Sequence, residues 1–406
     1  MKDSRLDSAF LSERARKNLS ILDTIRRSGT ISKSDISKFV GLNVVTISNY
    51  VDDFLRQHLV AERELDVSGG GRRPVLLGLN PDAGLAIGVG LNLFNIVSTC
   101  VDLGGKTLSC IKRDRKENSV KDVVDSIIEI IAKTIDSVDN KDKIRGIGIG
   151  IAGIIDKQKE TVRWPEKVGN GYDYATITLP LKDIIEKEFK LPCLIDNDAT
   201  VACFGEQWLT LGADIKNVLF LYSGVGLGIM VNGELYRGST GSAGEVSIYN
   251  QSQDKDFECA KGAPCFLKRW EADLGMVDEA KQALVQNKNS KILDNVKTVD
   301  EITLSDVFAA ARAKDKVAVD IVKDAGKRLG IRAAHLVNIF NPQALIIGGG
   351  LEEVSEILLD VVRKEVSEWA FEEASREVKI IPSRLGENSV ALGAANLVVR
   401  QVFSQT

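Results

Sequence analysis

Four short side chains crowd one stretch of this 406-residue sequence: Val45, Thr46, Ser48 and Asn49. They are compact and either polar or methyl-bearing. On the outward first two turns of a helix they are the right size to reach base edges in the DNA major groove. Asp52 and Asp53 follow closely. Carboxylates repel phosphates, so both are expected to turn away from a nucleic-acid backbone or into their own domain. A second group lies at Ser68-Gly69-Gly70-Gly71-Arg72-Arg73-Pro74. Three glycines let a loop tip approach a phosphate backbone closely, and Arg72 and Arg73 can then enter a narrow minor groove, where negative potential is focused.

Side chains act only where elements put them. Ala15, Leu19, Leu22 and Ile25 recur at helical spacing and form one apolar stripe on a helix of about four turns, ended by Gly29-Thr30. The spacing predicts a second short helix with Ser32 as N-cap and Asp35 three residues on, and with Ile36, Phe39 and Val40 on its buried side. Gly41-Leu42-Asn43 makes a tight turn, and Asn43 caps a third helix running to about Gln57 with Ile47, Val51, Phe54 and Leu55 inward. Two short helices joined by a three-residue turn containing glycine are the helix-turn-helix signature. Val60–Leu65 and Val75–Leu79 read as strands flanking the glycine-arginine tip, which makes a wing. Residues 1–78 are therefore expected to be a winged helix-turn-helix, with Asn43, Val45, Thr46, Ser48, Asn49, Arg72 and Arg73 against DNA. The same residues also read as a three-helix dimerisation module followed by a flexible linker.

A net charge of −4 excludes a chain coated throughout for nucleic acid, but the charge is uneven. Residues 1–78 hold thirteen Lys/Arg against ten Asp/Glu, or +3, and the remainder carries −7. A mildly basic head on an acidic body suits a small DNA-binding unit joined to something else. The length argues for two or three domains. Met1–Phe10 is polar and charged, unlike a signal peptide, and the longest apolar run, near Ile144–Ile155, is glycine-laced and well short of the roughly 20 residues that span a bilayer. Six cysteines (100, 110, 193, 203, 259 and 265) are too scattered for a disulfide framework. The expected setting is the reducing cytoplasm, with no membrane partner.

From Leu85 the pattern becomes that of two similar α/β halves. In the first, Leu85–Val101 reads as a hairpin, Lys106–Ile111 as a third strand, Val120–Val138 as a helix, and Ile144–Ile151 and Cys193–Asp196 as strands around a helix at Leu181–Phe189. A helix starts at Ala199. The second half starts with the strand Val218–Tyr222, pairs Gly228–Val231 with Glu234–Tyr236 around Asn232-Gly233, and continues in helices to Ile339. Strands at Ala344–Ile347 and Val378–Ile381 and a helix at Val390–Val402 close the sequence.

Motifs punctuate this frame in a fixed order: Gly70-Gly71-Arg72-Arg73-Pro74, Asp196-Asn197-Asp198-Ala199, Gly224-Val225-Gly226-Leu227-Gly228, Gly241-Ser242-Ala243-Gly244-Glu245, Asn341-Pro342, Gly348-Gly349-Gly350 and Ala391-Leu392-Gly393-Ala394-Ala395. In these motifs the chain resembles the ROK family (repressors, open reading frames and kinases), in its NagC/XylR-type repressor branch, over nearly its whole length. The resemblance implies an α/β chain in which a winged helix-turn-helix precedes an actin-like (RNase H-like, hexokinase-type) two-lobed domain. The first lobe would be residues 79–198, with helix 390–406 packing on it, and the second 199–389. It also implies a bound sugar and a homodimer or homotetramer.

The family's chemistry carries over only in part. Its kinases end the first hairpin in an Asp followed by Gly-Gly-Thr, whose backbone cradles ATP phosphates while the Asp helps to place Mg²⁺. Here Gly90 stands at the Asp position, and Leu93 and Phe94 at the Gly-Thr positions. ATP with Mg²⁺ is therefore not expected as a cofactor. Asp198 matches the kinases' general base, and without a phosphate site it is a vestigial base free to hold a sugar hydroxyl. Asn197 can donate and accept beside it; the pair also reads as a plain helix N-cap. Glu245 matches the family's sugar-binding Glu, with a surface loop carboxylate as the alternative, and Gly153 matches a loop whose backbone approaches the sugar. Gly224–Gly228 and Gly348–Gly350 match loops near the nucleotide, where tight turns alone are reason enough for glycine. The family's structural zinc takes one His and three Cys; here Ser247-Ile248 replaces its Gly-His, and only Cys259 and Cys265 remain. Four N or S ligands are wanted, so no metal is expected.

The resemblance thus implies a repressor of sugar-metabolism or transport genes that binds palindromic operator DNA and a sugar or sugar phosphate. A sugar kinase with a DNA-binding head, and a repressor governed by protein contact, are the competing readings.

Overall fold

The computed structural model describes residues 11–63, 75–92, 95–115, 119–156, 159–167, 174–223, 225–246, 274–286 and 289–406. The chain forms two compact units, Met1–Asn197 with Val390–Thr406, and Asp198–Ser389. It therefore crosses from one to the other at Asn197–Asp198 and again at Ser389–Val390.

The first unit begins with three helices, α1 (Glu13–Ser28), α2 (Lys33–Val40) and α3 (Val44–Arg56), and three strands, β1 (Ile31–Ser32), β2 (Val60–Arg63) and β3 (Leu76–Leu79). Each helix starts on a side-chain cap: Ser12 accepts from the Ala15 amide at 3.1 Å, Ser32 from Asp35 at 3.1 Å and Asn43 from Thr46 at 2.8 Å. Gly41, at φ 74°, ends α2 in the left-handed region. Central β3 pairs antiparallel with both neighbours, and Arg63 faces Leu76 at the end of its ladder. Arg72 and Arg73 lie outside the described residues. Ile21, Leu22, Ile25, Ile36, Ile47, Val51, Phe54 and Leu77 are fully buried and form the core of the head. The expectation for α2 holds for Ile36 alone: Phe39 is 76% exposed and Val40 half-buried, since an eight-residue helix buries a single position here. Leu55 is half-buried rather than inward.

The body of the first unit is built on β4 (Leu85–Leu91), β5 (Asn95–Asp102), β6 (Thr107–Asp114), β7 (Ile144–Ile151) and, after a separate antiparallel sheet of β8 (Ile154–Asp156), β9 (Thr161–Lys167) and β10 (Tyr174–Leu179), on β11 (Cys193–Asn197). The order β11-β7-β4-β5-β6 is a meander extended by two parallel strands. Side chains alternate across such strands. Ile87, Val89, Ile147 and Ile149 face a core shared with α4 (Val120–Asp136) and α5 (Leu181–Phe189).

The second unit repeats the plan. It holds α6 (Asp198–Thr210), β12 (Val218–Tyr222), β13 (Gly226–Val231), β14 (Glu234–Leu235), α7 (Met276–Val285), α8 (Leu304–Arg312), α9 (Lys316–Phe340), β15 (Ala344–Gly348), α10 (Ser355–Trp369), α11 (Glu372–Glu377) and β16 (Lys379–Pro382). Its sheet order, β14-β13-β12-β15-β16, is again a meander extended by two parallel strands.

Each sheet seats one helix on glycines. In the first unit α12 (Ser389–Gln405) lies against β4 and β7 so closely that a Cβ on Gly88 would come 2.0 Å from the Ala391 carbonyl oxygen, and one on Gly148 2.1 Å from that of Ala394. In the second, a Cβ on Gly228 of β13 would meet the Ala199 carbonyl of α6 at 2.2 Å. The Ile-Gly alternation of β4 and β7 is thus a core face and a helix seat on one strand. The far end of α12 reaches the head. There Asn18, 1% exposed, donates its amide to the carbonyl of Thr406, and it takes the buried place expected of Leu19, which is half-buried. Among the described residues no helix is long and apolar enough to cross a membrane.

Substituting Gly148→Ala is expected to destabilise the protein by about 1–3 kcal/mol, the cost of overpacking against rigid backbone. A lowered urea midpoint at unchanged slope checks it.

Candidate functional site

The head presents one face of α3. Ile47, Val51 and Phe54 are spent on the core, which leaves Val45 72% exposed and Asn49 exposed beside it, with Thr46 and Ser48 half-buried. Asn43 is committed through its Oδ1 to capping the helix. Asp52 and Asp53 are held by cations from their own domain: Lys33 Nζ lies 3.0 Å from Asp52, Arg14 3.1 Å from Asp53, and Arg56 also binds Asp53. The acids expected to turn from phosphate are neutralised in place. Asp35 has its carboxyl lowered by the Ser32 hydroxyl and then by Lys38.

The residues that the resemblance assigns to a sugar fall into two pairs. In the first unit Asn197, the last residue of β11, donates its amide to the Gly153 carbonyl at 3.3 Å. Gly153 has φ 115°, and a Cβ there would sit 2.7 Å from the Arg163 carbonyl, so only glycine turns this corner. In the second unit Asp198 opens α6, nearly buried, with Oδ1 accepting from the Ala199 amide at 2.8 Å. Glu245 bridges to Gly226, the first residue of β13, and Gly226 in turn lies against the Ala199 side chain. Asp198 and Glu245 therefore belong to adjoining elements. Glu245 is exposed as a whole residue, and partial desolvation of its carboxyl raises its pKa. Gly244 has φ 98° and its Cβ position is 1.9 Å from the Leu227 carbonyl, so the turn that delivers Glu245 also requires glycine.

At the loops matched to nucleotide binding, polar groups satisfy one another. Ser223, at φ 49°, donates its hydroxyl to the Gly349 carbonyl at 2.6 Å and its amide to Gly348 at 2.9 Å, while the Gly350 amide donates to Glu352 at 2.8 Å. The glycines serve the turns. In β4, a Cβ on Gly90 would stand 2.7 Å from both the Ala391 amide nitrogen and the Val390 Cβ, so no side chain, acidic or otherwise, fits where the resemblance expects the kinases' Asp.

Sequence reasoning missed Glu206. It is 1% exposed in α6 and accepts from the Ser383 hydroxyl at 2.5 Å, the Leu385 amide at 2.9 Å and the Thr210 hydroxyl at 2.9 Å, fixing the loop that leads to α12. Its signal was a lone acid in the apolar run Ala199–Trp208. Among the described residues Cys100, Cys193 and Cys203 are buried thiols, and burial pushes that of Cys100 to about 11 and the other two higher still. Cys259 and Cys265 lie outside the described residues, among which no cluster of three or more His, Cys, Asp or Glu could hold a metal.

Two sheets of one topology, each seating a helix on glycines, make the body an α/β fold of the kind found in actin-like, hexokinase-type kinases. The chain belongs to the ROK family, whose model matches residues 85–401. A xylose repressor of Caldicellulosiruptor bescii is 31% identical over 390 residues, 95% of this chain and 96% of that one. Among solved structures, a ROK family transcriptional regulator homologous to the Escherichia coli MLC protein superposes with a TM-score of 0.72 at 22% identity, covering 96% of this chain and 97% of that one. A ROK glucokinase from Streptomyces griseus, in complex with glucose and AMPPNP, gives 0.63 at 29% identity over 77% of this chain and 99% of its own.

Asn43→Ala is expected to lower the thermal stability of the head by about 1 kcal/mol through loss of the α3 cap, and Asn43→Ser to restore most of it. Circular dichroism melts of the two variants check this.

Proposed function

We propose that this protein is a sugar-responsive transcriptional repressor: a winged helix-turn-helix head that binds operator DNA, and a body that binds a sugar or sugar phosphate without phosphorylating it. One observation carries the reading: the likeness to the xylose repressor spans 95% of this chain, whereas the glucokinase accounts for all but 1% of its own length within 77% of it. Operator contacts are assigned to Val45, Thr46, Ser48 and Asn49 from α3 and to Arg72 and Arg73 from the wing, with Asn43 ordering the helix. Effector contacts are assigned to Gly153, Asn197, Asp198 and Glu245. Asp198 then acts as an acceptor for a sugar hydroxyl rather than as a catalytic base, because Gly90 leaves no room for the acid that would help to place Mg²⁺. Neither ATP with Mg²⁺ nor zinc is part of the proposal.

A palindromic operator meets a homodimer or homotetramer in which two heads reach half-sites a helical turn or a multiple of it apart. The effector releases the DNA by binding two states of the chain unequally, and a small change in head spacing suffices to lose one half-site.

Calorimetry against xylose, glucose, N-acetylglucosamine and their phosphates tests the effector side. One of them is expected to bind, and Asp198→Asn to weaken it at least tenfold. Turnover in an ATP-coupled assay that Asp198→Asn abolishes would overturn the reading in favour of a kinase. Glu245 gives a pH signature. A hydroxyl donates more strongly to its carboxylate than to its acid form, so affinity falls as pH drops through a pKa raised above the ordinary 4.5. Glu245→Gln is expected to flatten that dependence. On the DNA side, replacing Arg72 and Arg73 by Ala is expected to weaken binding and to reduce the slope of log affinity against log salt by up to about two per head, or about four for two heads on a palindrome.

A further inference from the structure

We infer that α3 reads A·T base pairs, recognising thymine through its 5-methyl group at Val45 and adenine through Asn49. This rests on the DNA-binding reading of the head and narrows it to a class of sequence. The outward face of α3 holds Val45, Asn49, Asp52 and Arg56 at intervals of four, three and four, one line along the helix. Val45 stands first on that line, 72% exposed, next to the exposed Val44. Two β-branched apolar side chains in the first turn of a recognition helix offer nothing to a hydrogen-bonding base edge. In the major groove the apolar feature is the thymine methyl, which takes contacts of this kind. Asn49, one turn further, is the side chain whose amide matches the N6 and N7 edge of adenine.

Thr46 and Ser48 are half-buried, and their hydroxyls both donate and accept, so they do not choose between bases. Guanine is recognised chiefly by Arg or Lys donating to O6 and N7. The sole basic residue of α3 is Arg56, its last, and it binds Asp53. Cytosine N4 donates to Asp or Glu, but Asp52 is held by Lys33, and Asp53 by Arg14 and Arg56. Asn43 is likewise occupied by the cap.

The experiment uses the full-length protein and a randomised duplex library. Rounds of selection yield bound duplexes, and each thymine of the best one is then replaced by uracil, which deletes only the methyl. Half-sites rich in A·T pairs are expected, with one or two thymines per half-site at which uracil weakens binding about 4-fold, the worth of one buried methyl. Val45→Ala, an exposed change that leaves the melting curve in place, is expected to erase the thymine–uracil difference at those positions while still binding the duplex. Asn49→Ala is expected to relax the preference at adjacent adenines. Affinity indifferent to uracil at every thymine, a thymine–uracil difference that survives Val45→Ala, or selected half-sites dominated by G·C pairs would each overturn the inference and leave DNA binding standing. Enrichment of no sequence at all would overturn the repressor reading and this inference with it.

Discussion

Backbone contact between a helix and the strands beneath it governs this structure. At Gly88 and Gly148 in the first unit, and at Gly228 in the second, strand Cα atoms lie where any Cβ would enter a helix carbonyl. Such seating wants glycine on the strand and alanine or a similarly small residue on the helix, and both motifs are spelled out in the chain: Ile-Gly-Ile-Gly in β7, Ala-Leu-Gly-Ala-Ala in α12. Close approach sharpens packing, because interiors at crystal-like density transmit small displacements instead of absorbing them. It also means that the seat of α12, and not a phosphate site, accounts for the glycines of β4. Gly90 belongs to the same row of seats, so the position read as a lost acid is filled by Val390 and Ala391.

Much of this was legible from residues alone. Ile144–Ile151, Leu181–Phe189 and Val218–Tyr222 were delimited to the residue, because strands buried on both faces read as uninterrupted apolar runs and helix ends carry their own signals. The caps at Ser32 and Asn43 followed from side-chain chemistry that acts within three residues. The sheet of β8, β9 and β10 was not read, since its strands mix Asp, Thr, Arg, Trp and Glu and show no clean alternation. Phe39 misled for a related reason: helical spacing gives the face of a helix but not how far its neighbours extend to cover it.

The sites were legible as residue types and less so as partnerships. Glycine at 153 announced a tight loop, but not that its carbonyl would accept from Asn197. The Asp198 and Glu245 carboxylates were marked by motif, whereas their placement on adjoining elements depends on the Gly226–Glu245 bridge, which joins positions far apart in the chain. Glu206 shows the limit most plainly. Its three partners come from its own helix and from a loop well over a hundred residues downstream, and no local pattern encodes such a convergence.

The bond between Asn18 and Thr406 joins residues 388 positions apart. Leaving a buried amide without its acceptor costs about 1–3 kcal/mol, so the first helix of the head and the residue after α12 are energetically coupled. A lineage that shortens or reorients the last helical turn inherits pressure to replace the asparagine by an apolar residue, and one that makes that replacement first relaxes the constraint on the tail. A polar residue at position 18 and the reach of α12 are thus two halves of one constraint.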